Sequence, residues 1–218
     1  MVNFLLLIEE VIDFSKKNVD KGQTPLKIYK VCSCIRETFC LSYSFRKENN
    51  LYLYFHKEHI LVSFLGNELR YLGPDERSQS LLLEKALKTA KGSINLGKSG
   101  KKKSTPGIYI MKFSDDLPFI DYISLMVKGN DYILLEYDDP IINDVEKLSS
   151  ESFIEKINDN FVFIIPVPPI FKNLDGTDNF LTLFKEMQNI KFFSLSKIKQ
   201  IENKILYINF RKDHQETQ

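Results

Sequence analysis

Five apolar side chains in unbroken succession, Phe161-Val162-Phe163-Ile164-Ile165, constrain the fold more than any other stretch. A strand with one solvated face alternates apolar and polar residues. A run without alternation needs both faces covered, as in the parallel strands of an α/β sheet. The surrounding segments keep that rhythm. Tyr132 to Glu136 and Ile190 to Ser194 read as strands, Phe153 to Ile157 as a short helix and Thr177 to Met187 as a helix. Lys197 to Asn203 reads as a turn or short helix, and Ile205 to Phe210 fits either a strand or a last helix. With 218 residues and no repeat or linker, one substantial core is expected over residues 1–211. The polar stretch Lys212 to Gln218 reads as a disordered tail.

The amino-terminal half is patterned for mixed structure. Phe4, Leu7, Ile8, Val11 and Ile12 have helical spacing, while Val2 to Leu7 also suits an opening strand. Leu26 to Cys40 places Ile28, Val31, Cys32, Ile35 and Phe39 on one helical face. Asn50 to Phe55 reads as a strand, with His59 to Leu65 its hairpin partner across Lys57-Glu58. A helix is expected within Pro74 to Ala90, then a flexible loop from Gly92 to Lys103. Gly107 to Lys112 reads as a strand and Pro118 to Val127 as a helix.

A net charge of +1 excludes a surface that is basic all over, but not a local basic patch. Cys32, Cys34 and Cys40 are too few and too close for a disulfide framework, so buried, reduced thiols are expected. The run Phe4 to Phe14 is short for a membrane span, is interrupted by Glu9, Glu10 and Asp13, and has no basic leader. A cytoplasmic protein is therefore expected. His56 and His59 sit near a hairpin tip without a carboxylate pattern beside them. They read as surface histidines, and no metal site is expected.

Asp75, Glu76 and Arg77 follow the turn signal Gly73-Pro74 at the mouth of a helix. Acidic residues there complement the helix dipole; a cation works against it. Arg77 therefore wants an anionic partner, either an acidic side chain or a phosphate. From spacing alone, a capped helix start with an internal Asp–Arg pair accounts for the motif.

The segment Phe64 to Arg77, FLGNELRYLGPDER, leads to a helix containing Lys85-Ala86-Leu87-Lys88 and then to Ser104-Thr105-Pro106-Gly107-Ile108-Tyr109. Together these resemble the archaeal tRNA pseudouridine N1-methyltransferases of the SPOUT superfamily. A ribosomal-RNA pseudouridine methyltransferase family is a close relative. Val31 to Phe55 is similar too, including Leu41-Ser42-Tyr43-Ser44-Phe45-Arg46, so the likeness covers roughly Leu26 to Lys112. It implies a mostly parallel α/β sheet flanked by helices, with a C-terminal trefoil knot folded around S-adenosylmethionine. It also implies a homodimer acting on the pseudouridine at T-loop position 54 of tRNA.

In that likeness Asp75 orients or deprotonates the base and Arg77 binds a substrate phosphate. Arg46 and Lys47, the lysines Lys101, Lys102 and Lys103, and the hydroxyls of Ser104 and Thr105 become candidate RNA contacts. Read without it, Ser104 to Gly107 is a Pro-Gly turn and the lysines are a solvated run. Tyr and Phe are too common for a single stacking residue to stand out. Ile165, Gly176, Leu195 and Ser196 are the candidate cofactor contacts. Around them the chain departs from the family pattern. Pro166-Val167-Pro168-Pro169-Ile170 stands where a Gly-Asp loop is the rule, and Asn173-Leu174-Asp175-Gly176 replaces a longer glycine-rich loop. Leu195-Ser196 run into Lys197-Ile198-Lys199 with no His or Cys following. Three prolines remove amide donors. Two readings follow: an S-adenosylmethionine-dependent RNA methyltransferase, or a cofactor-deficient relative that binds RNA or a partner.

Overall fold

The computed structural model describes residues 2–91, 100–126, 133–136, 147–148, 161–167, 183–184, 187, 190–195 and 197–216. Val2–Ile8 forms strand β1, buried along its whole length. Its two flanking strands both run parallel to it: β2 (Asn50–Phe55) on one side and β8 (Phe161–Pro166) on the other. The remaining strands are β3 (Ile60–Leu65), β4 (Lys102–Thr105), β5 (Ile108–Lys112), β6 (Ile133–Glu136), β7 (Lys147–Leu148) and β9 (Ile190–Phe193). Among the described residues they make one sheet in the order β4-β5-β3-β2-β1-β8-β6-β9-β7. The half from β2 to β7 is parallel; β3, β5 and β4 add an antiparallel flank.

Both faces of the central strands are covered, which is why their sequences do not alternate. Phe4, Leu6, Leu53, Phe163 and Ile165 pack on one face. Against them lie α2 (Leu26–Phe39), α3 (Glu76–Lys91) and α5 (Ile201–Glu216), with Ile35, Leu83 and Ile205 as contacts. Leu5, Leu7, Tyr54 and Ile164 point to the other face, under Phe119 and Ile123 of α4 (Asp116–Met126) and under Phe184. A short helix α1 (Lys16–Asp20) leads back along α3.

Several expectations are corrected. The ambiguous opening segment is a strand, because its residues pair with β2 and β8 instead of presenting one helical face. Lys102 and Lys103 belong to edge strand β4, not to a loop. The turn is Pro106-Gly107, while Ser104 and Thr105 end the strand across a register shift. Ile205 to Phe210 is helical, and α5 continues to Glu216 through most of the stretch expected to be a tail. Phe153 to Ile157, the loop portion 92–99, Pro168 to Gly176 and Ser196 lie outside the described residues. So does most of Thr177 to Met187, of which Leu183 and Phe184 are helical. The expected knot also depends on segments outside them.

Candidate functional site

The topology sends the two halves of the expected site to opposite ends of the sheet. Helix α2 runs antiparallel to β2, so residues 40–49 lie at the amino ends of β1 and β2. There the Gly66 N–H donates to the Asn49 carbonyl (3.0 Å). A Cβ on Gly66 would meet the carbonyls of Asn49, Arg46 and Lys47 at 2.4–2.8 Å. The Pro106-Gly107 turn arrives at the same edge, where the Leu65 N–H donates to the Gly107 carbonyl (2.8 Å). Gly107 has φ +80°, and a side chain there would strike Leu69 N at 2.5 Å. These close approaches bring the segments around Arg46, Gly66, Leu69 and Gly107 together.

Asp75 caps α3: its Oδ1 accepts from the N–H of Ser78 (2.8 Å), the third helical residue. The carboxylate is exposed, and it is one of the negative charges that help hold the half-buried Cys40 thiol up. Burial is the larger cause of that rise, to about 11. Arg77 donates to Asp20 at the end of α1 (2.8 Å), so its anionic partner in this structure is an acidic side chain from another helix. That pair is exposed and contributes little to stability. Arg46 is held inside the fold. Its guanidinium forms a fork with both oxygens of Asp213 on α5 (2.6 and 2.7 Å) and is 10% exposed. It locks α5 to the start of β2, together with Asn49 Nδ2, which donates to Asn209 Oδ1 (2.9 Å). Lys101, Lys102 and Lys103 are exposed along the sheet edge, and the Lys101 ammonium lies 4.1 Å from the centre of the Tyr109 ring. The hydroxyls of Ser104 and Thr105 are buried without a hydrogen-bond partner among the described residues, so they do not face a phosphate.

The cofactor candidates Ile165 and Leu195 lie at the carboxyl ends of β8 and β9. In open α/β sheets ligands bind at such ends, where neighbouring connections diverge. Both side chains are buried on the same face, with half-buried Val167 against the same cluster. Polar contacts are scarcer: Pro166 has no N–H, and the Val167 N–H donates to the Leu7 carbonyl (2.8 Å). The two ends are far apart. The 16 residues of α3 run from Glu76, beside Arg77 with its Asp20 partner, to Lys91, paired with Asp13 just beyond β1. That is about 24 Å at the rise of an α-helix.

Sequence reasoning missed a polar cluster at the carboxyl end of β2. His56 Nε2 lies 3.0 Å from Asp116 Oδ2, and His59 Nδ1 lies 3.2 Å from Asp116 Oδ1. The Tyr54 hydroxyl donates to the same Oδ1 (2.7 Å). Burial foremost, then this bond, pushes the Tyr54 hydroxyl well above its ordinary value. His59 reaches the carboxylate from a left-handed backbone, φ 51°. The histidines are thus half-buried and jointly anchored, not loose surface groups. Asp116 lies 57 residues beyond His59, so no local pattern announced it. Among the described residues no three His, Cys, Asp or Glu side chains are grouped to hold a metal ion. No helix among them is long and apolar enough to cross a membrane.

The architecture is that of an α/β protein with a parallel core, and a solved structure shares it. Archaeoglobus fulgidus Nep1 bound to S-adenosylhomocysteine superposes with a TM-score of 0.52 at 14% identity, over 97% of this chain and 94% of that one. Residues 15–156 match the family model described as "Putative SAM-dependent RNA methyltransferase", and the chain belongs to that family. Its relatives include archaeal proteins named tRNA (pseudouridine(54)-N(1))-methyltransferase. The Methanocella arvoryzae protein is 29% identical over 65% of this chain and 68% of its own length. That of Methanococcus aeolicus is 30% identical over 72% and 76%, respectively. That of Haloferax volcanii is 34% identical over 46% of this chain and 48% of its own, so this alignment spans about half of the relative.

Proposed function

We propose that this protein methylates N1 of the pseudouridine at position 54 of tRNA, acting in the cytoplasm as a homodimer with a C-terminal knot. The supporting observation is that the Asp75–Arg77 and Thr105–Gly107 segments fold to the same end of the sheet, within the span matched by the family. S-adenosylmethionine, when bound, supplies an electrophilic methyl group, and Ile165, Leu195, Gly176 and Ser196 would hold it. Methylation at N1 releases the N1 proton, so a carboxylate at that nitrogen helps. Asp75 takes that role: Oδ1 is fixed by the helix cap, and Oδ2 takes no hydrogen bond from the described residues. Arg77 can exchange Asp20 for a substrate phosphate because their pair is exposed. Lys101 to Lys103 attract the RNA backbone along the sheet edge.

The distance between Asp75 and the cofactor edge of the same chain motivates the dimer. A second copy can bring its amino edge to the cofactor edge of the first, so that each site takes residues from both.

One observation favours the second reading, a cofactor-deficient RNA- or partner-binding protein. The first two backbone positions at the end of β8 offer no amide to a ligand. Calorimetric titration with S-adenosylmethionine decides between the two. Micromolar binding, followed by methyl transfer to a tRNA carrying pseudouridine 54 and none to the same tRNA with uridine, is the expected result. A folded protein with no measurable binding would establish the second reading instead.

A further inference from the structure

Two exposed tyrosines lie at the Asp75 end of the sheet: Tyr43 in the turn that follows Cys40, whose thiol feels the Asp75 charge, and Tyr71 on the segment leading into α3. Tyr43 is fully exposed and Tyr71 is 66% exposed. The chain holds both rings outward by firm backbone bonds. The Leu41 N–H donates to the Ser44 carbonyl (2.9 Å), and Cys40 bridges Phe45, so Tyr43 stands at the tip of a closed turn. Arg46, fixed by Asp213, anchors the base of that turn, its N–H donating to the Phe39 carbonyl (2.8 Å). Tyr71 is held through its carbonyl, which accepts from the Ser78 hydroxyl (3.3 Å), and Ser78 is the residue whose amide bonds Asp75. The same edge exposes apolar Leu41 and Phe45 and the cations Lys47 and Arg70.

Leu41, Tyr43 and Phe45 are all exposed on one pinned turn, and an apolar group gathered in this way calls for an occupant. The neighbouring cations and hydroxyl-bearing side chains suit an anionic, flat-faced partner better than an apolar protein surface. We propose that Tyr43 and Tyr71 are stacking platforms for unpaired bases of the substrate RNA on either side of the nucleotide presented to Asp75. The proposal rests on the RNA-methyltransferase reading and specifies how the loop is gripped. Sequence-selective RNA recognition works mainly on loops whose bases can be splayed onto aromatic rings. A T-loop offers such bases. Stacking is tolerant of base identity, so these rings set the register of the loop while the polar groups select the target.

The test uses the full chain and a T-arm hairpin carrying pseudouridine at position 54, with 2-aminopurine at a neighbouring loop position. Wild type should quench the fluorophore on binding. Tyr43→Ala and Tyr71→Ala should each weaken binding about tenfold, the range expected for one lost stack. The quench should be lost at the matching position, and KM for tRNA should rise far more than kcat falls. Tyr43→Phe and Tyr71→Phe, which keep the ring, should restore binding and quenching. If wild type binds and both Ala variants bind equally well, the platforms are refuted while the enzymatic reading stands. If the Ala variants change only the oligomeric state, the rings belong to a protein interface and the proposal falls. Wild-type protein that neither binds nor methylates the hairpin would overturn the functional reading itself, before any variant is compared.

Discussion

At Asp75 the charge of the side chain can be separated from its shape, because asparagine caps a helix about as well as aspartate does. Asp75→Ala should lose about 1 kcal/mol of stability with the cap. Asp75→Asn should unfold at the wild-type denaturant concentration and yet fail to methylate pseudouridine-containing tRNA. Turnover unchanged in the Asn variant would leave Asp75 with the cap alone. The thiols give a second test at this scale. Burial, and behind it the charge of Glu76, pushes Cys32 from 9.0 up to about 11, against its contact with Ser80 (3.3 Å), which pulls it down. Cys34 is raised further for the same main reason. A thiol whose folded-state value is raised holds its proton more tightly in the folded chain. Its contribution is complete below about pH 9 and is lost as pH climbs towards 11. Denaturant unfolding at pH 8 and pH 10.5 should therefore show a smaller loss for Cys32→Ala than for wild type. The clustering of three cysteines made buried, reduced thiols legible in advance, and Cys32 and Cys34 are buried and free.

Among the elements, those with a clean period were readable. Helices α2 and α3 and the hairpin of β2 and β3 lie where spacing placed them, because each buries a regular face against the sheet. Edge strand β4 was not readable: Lys102, Lys103 and Ser104 carry no strand pattern, and pairing with β5 alone makes them one. Charges on an edge strand also discourage pairing with another copy. Replacing Lys101, Lys102 and Lys103 with Ala should weaken RNA binding and flatten its dependence on salt. An unaltered salt slope would leave them only the edge-protecting role, visible as aggregation of the variant. The turn between β4 and β5 is less forgiving. Gly107→Ala combines a left-handed backbone with contacts to Leu69 N and Glu68 C at 2.5–2.7 Å. It should cost about 2–4 kcal/mol, read as a fall in melting temperature with far smaller loss at the exposed Gly22.

For the whole molecule, the separation of the two sheet ends becomes a prediction about assembly. Asp75→Asn leaves the cofactor edge intact, and Val167→Arg obstructs that edge while leaving Asp75 in place. Each variant alone should be inactive. Mixed and refolded together, they should recover about a quarter of wild-type activity, because half the dimers are mixed and each holds one complete site. No recovery would place Asp75 and the cofactor in the same chain. The sequence by itself determined the parallel core, through the unbroken apolar run of β8, and the α3 cap, through Asp75 three residues before Ser78. Both depend on local spacing and burial, which any window of the chain displays. Only the tertiary structure decided that Arg46 serves Asp213, that Arg77 meets Asp20, and that two histidines share Asp116. Those partners are 167, 57 and about 60 residues apart, respectively. Which charge meets which is set by the order of strands in the sheet, and strand order leaves no local period in the sequence.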